Sequence, residues 1–159
     1  MSKLQPKTNA CRIVEARGIT YELLDYESDD DELDAVSVAR KIGLPPEEVF
    51  KTLALTGDVL RHFVIVVPGN SVVSLKKVAV ATGNKSCEML PLKELEPLTG
   101  YIRGGCSPIG MKKQLPTFIE ETAMIFSRIS ISPGKRGQQM LISPEDLAAV
   151  TGAEFADLL

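Results

Sequence analysis

Two apolar segments joined by a short polar connection constrain the fold of this chain more than any other feature. Residues 51–56 and 61–67 are rich in residue types that suit a half-buried pleated surface, and Gly57 and Asp58 begin the connection between them. This pattern predicts a β-hairpin, which requires an antiparallel pair of strands. A strictly parallel, doubly wound sheet is therefore not expected.

Helix and strand signals alternate along the rest of the chain. Polar caps and glycine stops predict helices at 8–17, 34–42 and 75–82, helical turns at 45–48 and 91–98, and a last helix opened by residues 143–146. Further strands are predicted at 21–26, 87–90, 118–120, 123–131 and 138–142. Interleaved elements around a hairpin predict a mixed α/β fold, and 159 residues predict a single domain, 1–159, around one core.

Composition predicts a globular protein without a metal or cofactor. Its apolar runs all fall well short of the ~20 residues that cross a bilayer, and residues 1–7 lack the apolar stretch of a signal peptide. We therefore expect a cytoplasmic protein that does not bind membranes. Cys11, Cys87 and Cys106 form no C-x-x-C pair, and His62 is the one histidine, so the usual ligand set of a catalytic metal is missing.

The charges of this acidic chain are unevenly placed. Five acids within 29–34 account for more than the whole net charge of −3. Elsewhere, six of the lysines and arginines cluster as Lys76 with Lys77, Lys112 with Lys113, and Lys135 with Arg136. Such pairs favour a basic face for nucleic acid, although solvated surface charge is the alternative interpretation of any one pair.

Two glycine-rich segments indicate a binding site. Residues 100–110 read GYIRGGCSPIG, and residues 132–137 read SPGKRG. Adjacent glycines let a backbone approach a ligand closely and let successive N–H groups converge on an oxyanion or phosphate. The first segment matches neither G-x-G-x-x-G nor the GK[ST] ending of a P-loop, so nucleotide binding by those routes is disfavoured.

The candidate nucleophiles of the protein itself lack a partner base. Cys106 would need a base, and His62 lies within a predicted strand, where packing or solvent exposure is the simpler interpretation. Ser107 and Ser132 lack a base for the same reason.

Three other side chains are candidates for binding. Lys51 is a cation in an apolar neighbourhood and is suited to anchoring a phosphate, a hydroxyl or a carbonyl, although a lysine at a solvent edge of a strand is the alternative. Tyr26 can stack on a base or pack in the core. Asp146 has a complete structural role if Ser143 caps the last helix.

The order of these motifs resembles the YbaK/EbsC family of free-standing aminoacyl-tRNA deacylases, which are related to the editing domain inserted in bacterial prolyl-tRNA synthetases. The resemblance runs from about residue 8 to 159, and its most specific parts are the GG-x-SP-[IL]-G loop and the downstream GKRG. The matching segments are FKTL at 50–53, SLKK at 74–77, the loop 100–110 with KK at 112–113, SPGKRG at 132–137 and PEDL at 144–147. It implies a mixed, twisted, barrel-like sheet flanked by helices.

The resemblance implies hydrolysis of cysteine mischarged on proline tRNA by a protein acting in trans beside prolyl-tRNA synthetase, with Cys-tRNA(Cys) as a further substrate. A second site is needed because cysteine is small enough to enter a proline pocket. In the mechanism proposed for the family, the thiol of the substrate attacks its own ester carbonyl, and the protein supplies orientation and charge stabilisation.

The resemblance also assigns residues. Lys51 matches the essential lysine, which orients the terminal adenosine or the carbonyl, and backbone N–H groups around Gly104, Gly105 and Cys106 stabilise the oxyanion. Tyr26 and Asp146 match family positions implicated in binding, and Ser107, Ser132 and Gly134 of the two glycine-rich segments are predicted to bind substrate with them. The paired cations Lys76, Lys77, Lys112, Lys113, Lys135 and Arg136 are predicted to bind tRNA.

Two other functions remain open from the sequence. Relatives that remove alanine from proline tRNA share much of this framework, so an Ala-tRNA(Pro) deacylase is one alternative. The other is a module that binds tRNA or a synthetase without chemistry. No oligomeric state is predicted.

Overall fold

The computed structural model describes residues 7–159 and arranges their strands in two sheets. Residues 1–6 lie outside the described residues, and they are most of the segment 1–7 that was predicted not to be a signal peptide. The helices are α1 (Asn9–Ala16), α2 (Ala35–Ile42), α3 (Leu75–Thr82), α4 (Leu92–Thr99) and α5 (Pro144–Thr151). The strands are β1 (Glu22–Asp25), β2 (Phe50–Gly57), β3 (His62–Pro68), β4 (Cys87–Met89), β5 (Thr117–Glu120), β6 (Ile129–Ile131), β7 (Gln138–Ile142) and β8 (Glu154–Ala156).

The sheet topology confirms the mixed α/β prediction. Strands β2 and β3 form the predicted antiparallel hairpin, with Lys51 opposite Val67 and Thr56 opposite His62. The larger sheet has the order β4-β2-β3-β5-β8, in which β3, β5 and β8 run parallel. The smaller sheet, β1-β7-β6, is antiparallel. None of the helices in the described part of the chain has the length and apolar character needed to cross a membrane.

The strands do not close into the single barrel-like sheet that the resemblance implied. One parallel bridge, between Val49 and Ser130, joins the two sheets. Pairing extends no further at this point because Pro133 follows β6 closely and Pro46 opens a 3-10 turn just before β2, and proline has no N–H to donate to a ladder. The structure is therefore two sheets packed around a shared apolar layer.

Helix boundaries follow the capping rules on which the predictions rested. Thr8, Asp34, Ser74 and Ser143 each accept a hydrogen bond from the backbone N–H three residues later. Helices α2, α3 and α5 end at glycines in the left-handed conformation. The predicted starts of α1, α2, α3 and α5, and the predicted ends of α1, α2 and α3, are confirmed to within about one residue.

The strand prediction for 123–131 was wrong in its first part. Residues Glu121–Ile125 form a 3-10 helix, and only Ile129–Ile131 pair as a strand. The cause is Glu120, which is buried and accepts a hydrogen bond from Thr122 N–H, so that it caps the turn. Its other oxygen accepts from Leu158 N–H and holds the end of the chain near β8, a strand that was not predicted.

Alternation along β2 and β3 places apolar side chains on both faces of the larger sheet. Phe50 and Val66 pack with the smaller sheet, whereas Leu55 and Ile65 pack against α3 and the C-terminal segment. Strand β4 pairs only with the last three residues of β2. The edge of β2 before residue 55 is therefore left without a neighbouring strand, and this opening positions the site.

Candidate active site

A cleft of about 390 Å³ lies along the open edge of β2. Leu90 N–H donates to Ala54 C=O at 3.0 Å, which ends the cover that the β4 segment provides. Alternate residues of a strand direct their backbone groups to the same edge, so those of Thr52 also face the cleft. The lining comprises Leu33, Asp34, Ala35, Val38, Val49, Phe50, Lys51, Thr52, Leu53, Ala54, Gly69, Met89, Leu92, Leu95, Arg103, Gly104, Cys106, Ser132 and Gln139.

Lys51 brings a cation into this cleft. Its side chain is partly buried, and its Nζ lies 3.5 Å from Gly69 C=O. Among residues 7–159, no carboxylate lies within ion-pair distance of this ammonium. A partly buried cation with one long contact to a carbonyl is costly to keep in a fold. Lys51 is therefore well placed to bind an oxygen-rich or anionic group.

Two further polar side chains line the cleft, and the sequence analysis missed them. Thr52 Oγ1 is buried and has no hydrogen-bond partner in the described chain. Gln139 is 5% exposed, and its Oε1 accepts a hydrogen bond from Ser130 Oγ at 2.7 Å. That bond fixes the carboxamide and leaves its Nε2 as a donor. Thr52 lies within the FKTL segment at 50–53 but was not singled out as a site residue, and Gln139 lies in a strand where no motif signals it.

The two glycine-rich segments pack directly on each other. A Cβ at Gly105 would lie 3.2 Å from Lys135 Cα, and a Cβ at Gly134 would lie 2.8 Å from the ring of Tyr101. Tyr101 donates from its hydroxyl to Ile109 C=O, and burial raises its pKa to about 12. Glycine at these positions is thus required for packing between the loops as well as for approach to a ligand.

Residues 102–105 form a hydrogen-bonded turn at the rim of the cleft. Gly105 N–H donates to Ile102 C=O at 2.9 Å, and Gly104 has a φ of +82°. Gly105 N–H is therefore occupied in the turn, whereas Gly104 and Cys106 both line the cleft. The candidate oxyanion donors are the N–H groups of Gly104 and Cys106.

The acidic and thiol groups of the cleft are in unreactive states. Asp34 accepts from both the N–H and the hydroxyl of Ser37, and these hydrogen bonds lower the pKa of its carboxyl. Asp34 therefore caps helix α2, and its carboxylate, already hydrogen-bonded to Ser37, is a weak base. Burial raises the pKa of the Cys106 thiol to about 12, so this thiol is protonated at neutral pH and is a poor nucleophile.

Comparison with known proteins identifies the family. A model of the aminoacyl-tRNA editing domain matches residues 30–150. The chain belongs to this family. It is also 48% identical over 156 residues to an Enterococcus faecalis protein named "Putative Cys-tRNA(Pro)/Cys-tRNA(Cys) deacylase EbsC", with 98% of this chain and 95% of that protein aligned. The family predicted from the sequence motifs is thereby confirmed.

Solved structures share the fold of this editing domain. A crystal structure of a putative trans-editing enzyme for prolyl tRNA synthetase has a TM-score of 0.83 at 23% identity and covers 98% of both chains. The crystal structure of a hypothetical protein has the same TM-score at 22% identity and covers 92% of this chain and 96% of its own. The two-sheet architecture is therefore that of known proteins.

Not all the residues predicted for the site of the editing domain meet in the cleft. Lys51, Gly104, Cys106 and Ser132 line it together. Ser132 Oγ accepts from Gly134 N–H, which shapes the second loop from inside. His62 lies at the far end of β3, opposite Thr56, and does not line the cleft. A Cys106–His62 pair is therefore not formed.

The other predicted binding residues lie outside the cleft lining. Tyr26 packs against the buried cluster of Val38, Ala39 and Val49 and lines a second, open hollow beside the acidic segment. Ser107 is buried and accepts from Ile109 N–H, and Asp146 donates its N–H to Ser143 Oγ as the capping interpretation requires. The paired cations Lys76, Lys77, Lys112, Lys113, Lys135 and Arg136 are absent from the lining as well.

The thiol of Cys106 should react slowly with alkylating reagents. A pKa of about 12 in place of 9 is a difference of three pH units, so at pH 8 we expect alkylation about a thousandfold slower than in the unfolded chain. Because the folded pKa is the higher one, the associated stability is present below pH 9 and is lost as the pH rises toward 12. Iodoacetamide labelling with peptide mass mapping, native against urea-unfolded, measures this. Equal rates in the two states would restore Cys106 as a candidate nucleophile.

Proposed function

We propose that this editing domain is a deacylase that removes cysteine from Cys-tRNA(Pro), and also from Cys-tRNA(Cys), using the thiol of the substrate as the nucleophile. The observation that carries the proposal is the convergence of Lys51 with the 102–105 turn in a cleft whose own acid and thiol groups are unreactive. The name of the Enterococcus relative, a Cys-tRNA(Pro)/Cys-tRNA(Cys) deacylase, supports the choice of cysteine.

The side chains around the cleft do not make a nucleophile and base pair. The Cys106 thiol is protonated, the Asp34 carboxylate is engaged by Ser37, and the described part of the cleft holds no histidine. Ser132 has a hydroxyl but no base within the lining to activate it. Attack by a group that the substrate itself brings needs none of these residues.

The proposed step balances without a protein nucleophile. The cysteine sulfur forms a bond to the carbonyl carbon of its own ester, and the bond from that carbon to the ribose oxygen breaks. The thiol proton ends on the departing ribose hydroxyl, so free tRNA and a four-membered cyclic thioester are released. Water then opens the thioester to cysteine. Alanine has no thiol and cannot follow this route.

The residues of the cleft stabilise this step by position and charge. Charge develops on the carbonyl oxygen, where the ammonium of Lys51 and the N–H groups of Gly104 and Cys106 act as donors. The unpartnered Thr52 hydroxyl and the fixed Gln139 amide then bind the ribose hydroxyls or the amino group of the substrate. A cleft of about 390 Å³ falls in the size range of small-ligand sites, which suits the aminoacyl end of a tRNA.

The rest of the tRNA binds through backbone charge in this proposal. Lys76, Lys112 and Lys113 are exposed, and Lys112 packs against Gly100 at the end of α4, whose first turn lines the cleft. Lys77 already pairs with Asp157, so it is the weakest of the predicted contacts. Prolyl-tRNA synthetase, the source of the mischarged product, is the proposed partner, and the cytoplasm is the proposed location. Tyr26, Ser107, Gly134 and Asp146 act indirectly, through packing and loop shape.

The experiment is a single-turnover deacylation assay with purified protein on Cys-tRNA(Pro) and Ala-tRNA(Pro). Fast loss of cysteine with no loss of alanine above the uncatalysed rate is expected. Loss of alanine would favour activated water and the Ala-tRNA(Pro) alternative. Salt-sensitive tRNA binding with no loss of either amino acid would favour the non-catalytic module.

A further inference from the structure

The side chain of Arg136 lies against the backbone of the turn that carries Gly104. Its Nε donates to Arg103 C=O at 2.9 Å, and its Nη1 lies 3.4 Å from Asp30 Oδ1 in the acidic segment. A Cβ at Gly104 would lie 3.3 Å from the same Nε. The Nε donor of Arg136, in the GKRG motif, is therefore hydrogen-bonded to one backbone carbonyl, that of Arg103.

Arg103 C=O belongs to the central peptide of the turn, and the orientation of that peptide differs between turn types. In the turn 102–105, Arg103 has a negative φ and Gly104 a φ of +82°, which defines type II. Types I and II differ chiefly by a half rotation of the central peptide, here the one joining Arg103 to Gly104. A hydrogen bond to Arg103 C=O selects one of the two.

The orientation of this peptide also sets the direction of a proposed catalytic donor. In a trans peptide the C=O and the following N–H point in opposite directions. With Arg103 C=O held by Arg136, Gly104 N–H points away from the guanidinium. Both Arg103 and Gly104 line the cleft. A half rotation would bring the carbonyl oxygen, an acceptor, to the side that the N–H occupies.

We infer that Arg136 is a positioning residue of the deacylase: it locks the Arg103–Gly104 peptide so that Gly104 N–H is presented to the oxyanion. Asp30 completes the arrangement by holding the other end of the guanidinium, which gives part of the acidic segment 29–34 a role. The inference rests on the proposed function, and it replaces the tRNA-phosphate contact predicted for Arg136. It requires the planar Nε donor of arginine, which lysine lacks.

The test compares Arg136→Lys with Arg128→Lys. Both keep the charge, and Arg128 makes an exposed ion pair with Glu22 outside the cleft. Arg136→Lys is expected to lower kcat on Cys-tRNA(Pro) about a hundredfold, the effect of losing one oxyanion donor. In Arg136→Lys, the KM and the salt dependence of tRNA binding should change less than threefold. The control Arg128→Lys should have the kcat and KM of the wild-type protein. A raised KM with unchanged kcat would overturn the inference and return Arg136 to phosphate binding.

A second readout does not depend on catalysis. In a type II turn the Arg103 Hα lies close to the Gly104 amide hydrogen, whereas in a type I turn the amide hydrogens of Arg103 and Gly104 lie close to each other. If Arg136 locks the peptide, the NMR cross-peak between Arg103 Hα and Gly104 N–H should be strong in wild type and Arg128→Lys and should weaken in Arg136→Lys, with a cross-peak between the two amide hydrogens appearing. An unchanged pattern in Arg136→Lys would overturn the inference even if activity fell. If wild-type protein deacylates neither substrate, the proposed function fails, while the NMR comparison still decides whether Arg136 orders the turn.

Discussion

Replacing Lys51 by methionine is expected to lower the deacylation rate of Cys-tRNA(Pro) by at least about a hundredfold while the protein stays folded and at least as stable. The rate falls because the ammonium is the only side-chain cation placed along β2 in the described cleft lining, and loss of one charge-stabilising donor costs about 100-fold or more. Stability is kept because methionine retains the length of the side chain and removes a partly buried charge that no carboxylate among residues 7–159 neutralises.

Lys51→Met is informative because its deacylation rate should fall whereas its stability should not. Single-turnover rates measure the first effect, and urea unfolding followed by circular dichroism measures the second. Lys85→Met is the matched control, because Lys85 is exposed beside the hairpin turn and lies outside the cleft. Wild-type rates in a folded Lys51→Met protein would remove Lys51 from the site. A large loss of stability would mean that Lys51 is structural.

Replacing Gly104 by alanine is the second change with a large expected effect. The left-handed conformation disfavours alanine by roughly 1–2 kcal/mol, and the new Cβ would lie 3.2 Å from Leu33 Cδ2. A type I turn relieves the strain by rotating the peptide that presents Gly104 N–H. We expect a rate loss of about a hundredfold or more, with a modest loss of stability.

Gly83→Ala separates strain from catalysis. Gly83 also has a positive φ, +74°, but it ends α3, and a Cβ there would have no neighbour within 4 Å. It should show a similar loss of stability in thermal unfolding and a deacylation rate within about threefold of wild type. If Gly104→Ala were as active as Gly83→Ala, the 102–105 turn would have no part in catalysis.

Local signals account for what the sequence predicted of the fold. Helices α2, α3 and α5 begin at side-chain caps and end at left-handed glycines, so a few neighbouring residues determine each boundary. The hairpin follows from alternation and turn residues in the same way. The 3-10 helix at Glu121–Ile125 and strand β8 depend instead on the buried Glu120, which contacts residues up to 38 positions away. No local pattern carries that information.

The residues of the candidate site also divide into those that a local sequence pattern indicated and those that only the fold brings together. Lys51 and the glycine loops stood out because a cation among apolar residues and clustered glycines are unusual in one sequence. Thr52 and Gln139 were missed because they are ordinary polar residues within strands, and only the open edge of β2 brings them to the cleft. The packing of Gly105 on Lys135 is likewise visible only in three dimensions, because it joins segments 30 residues apart in the chain.

The most direct test of the central claim is the identity of the first product released from Cys-tRNA(Pro). A rapidly quenched single turnover, analysed by mass spectrometry, should show the cyclic cysteine thioester before free cysteine appears, because the substrate sulfur and not water attacks the ester. Free cysteine as the first product, carrying ¹⁸O from labelled water, would contradict the account and assign the attack to water activated within the cleft.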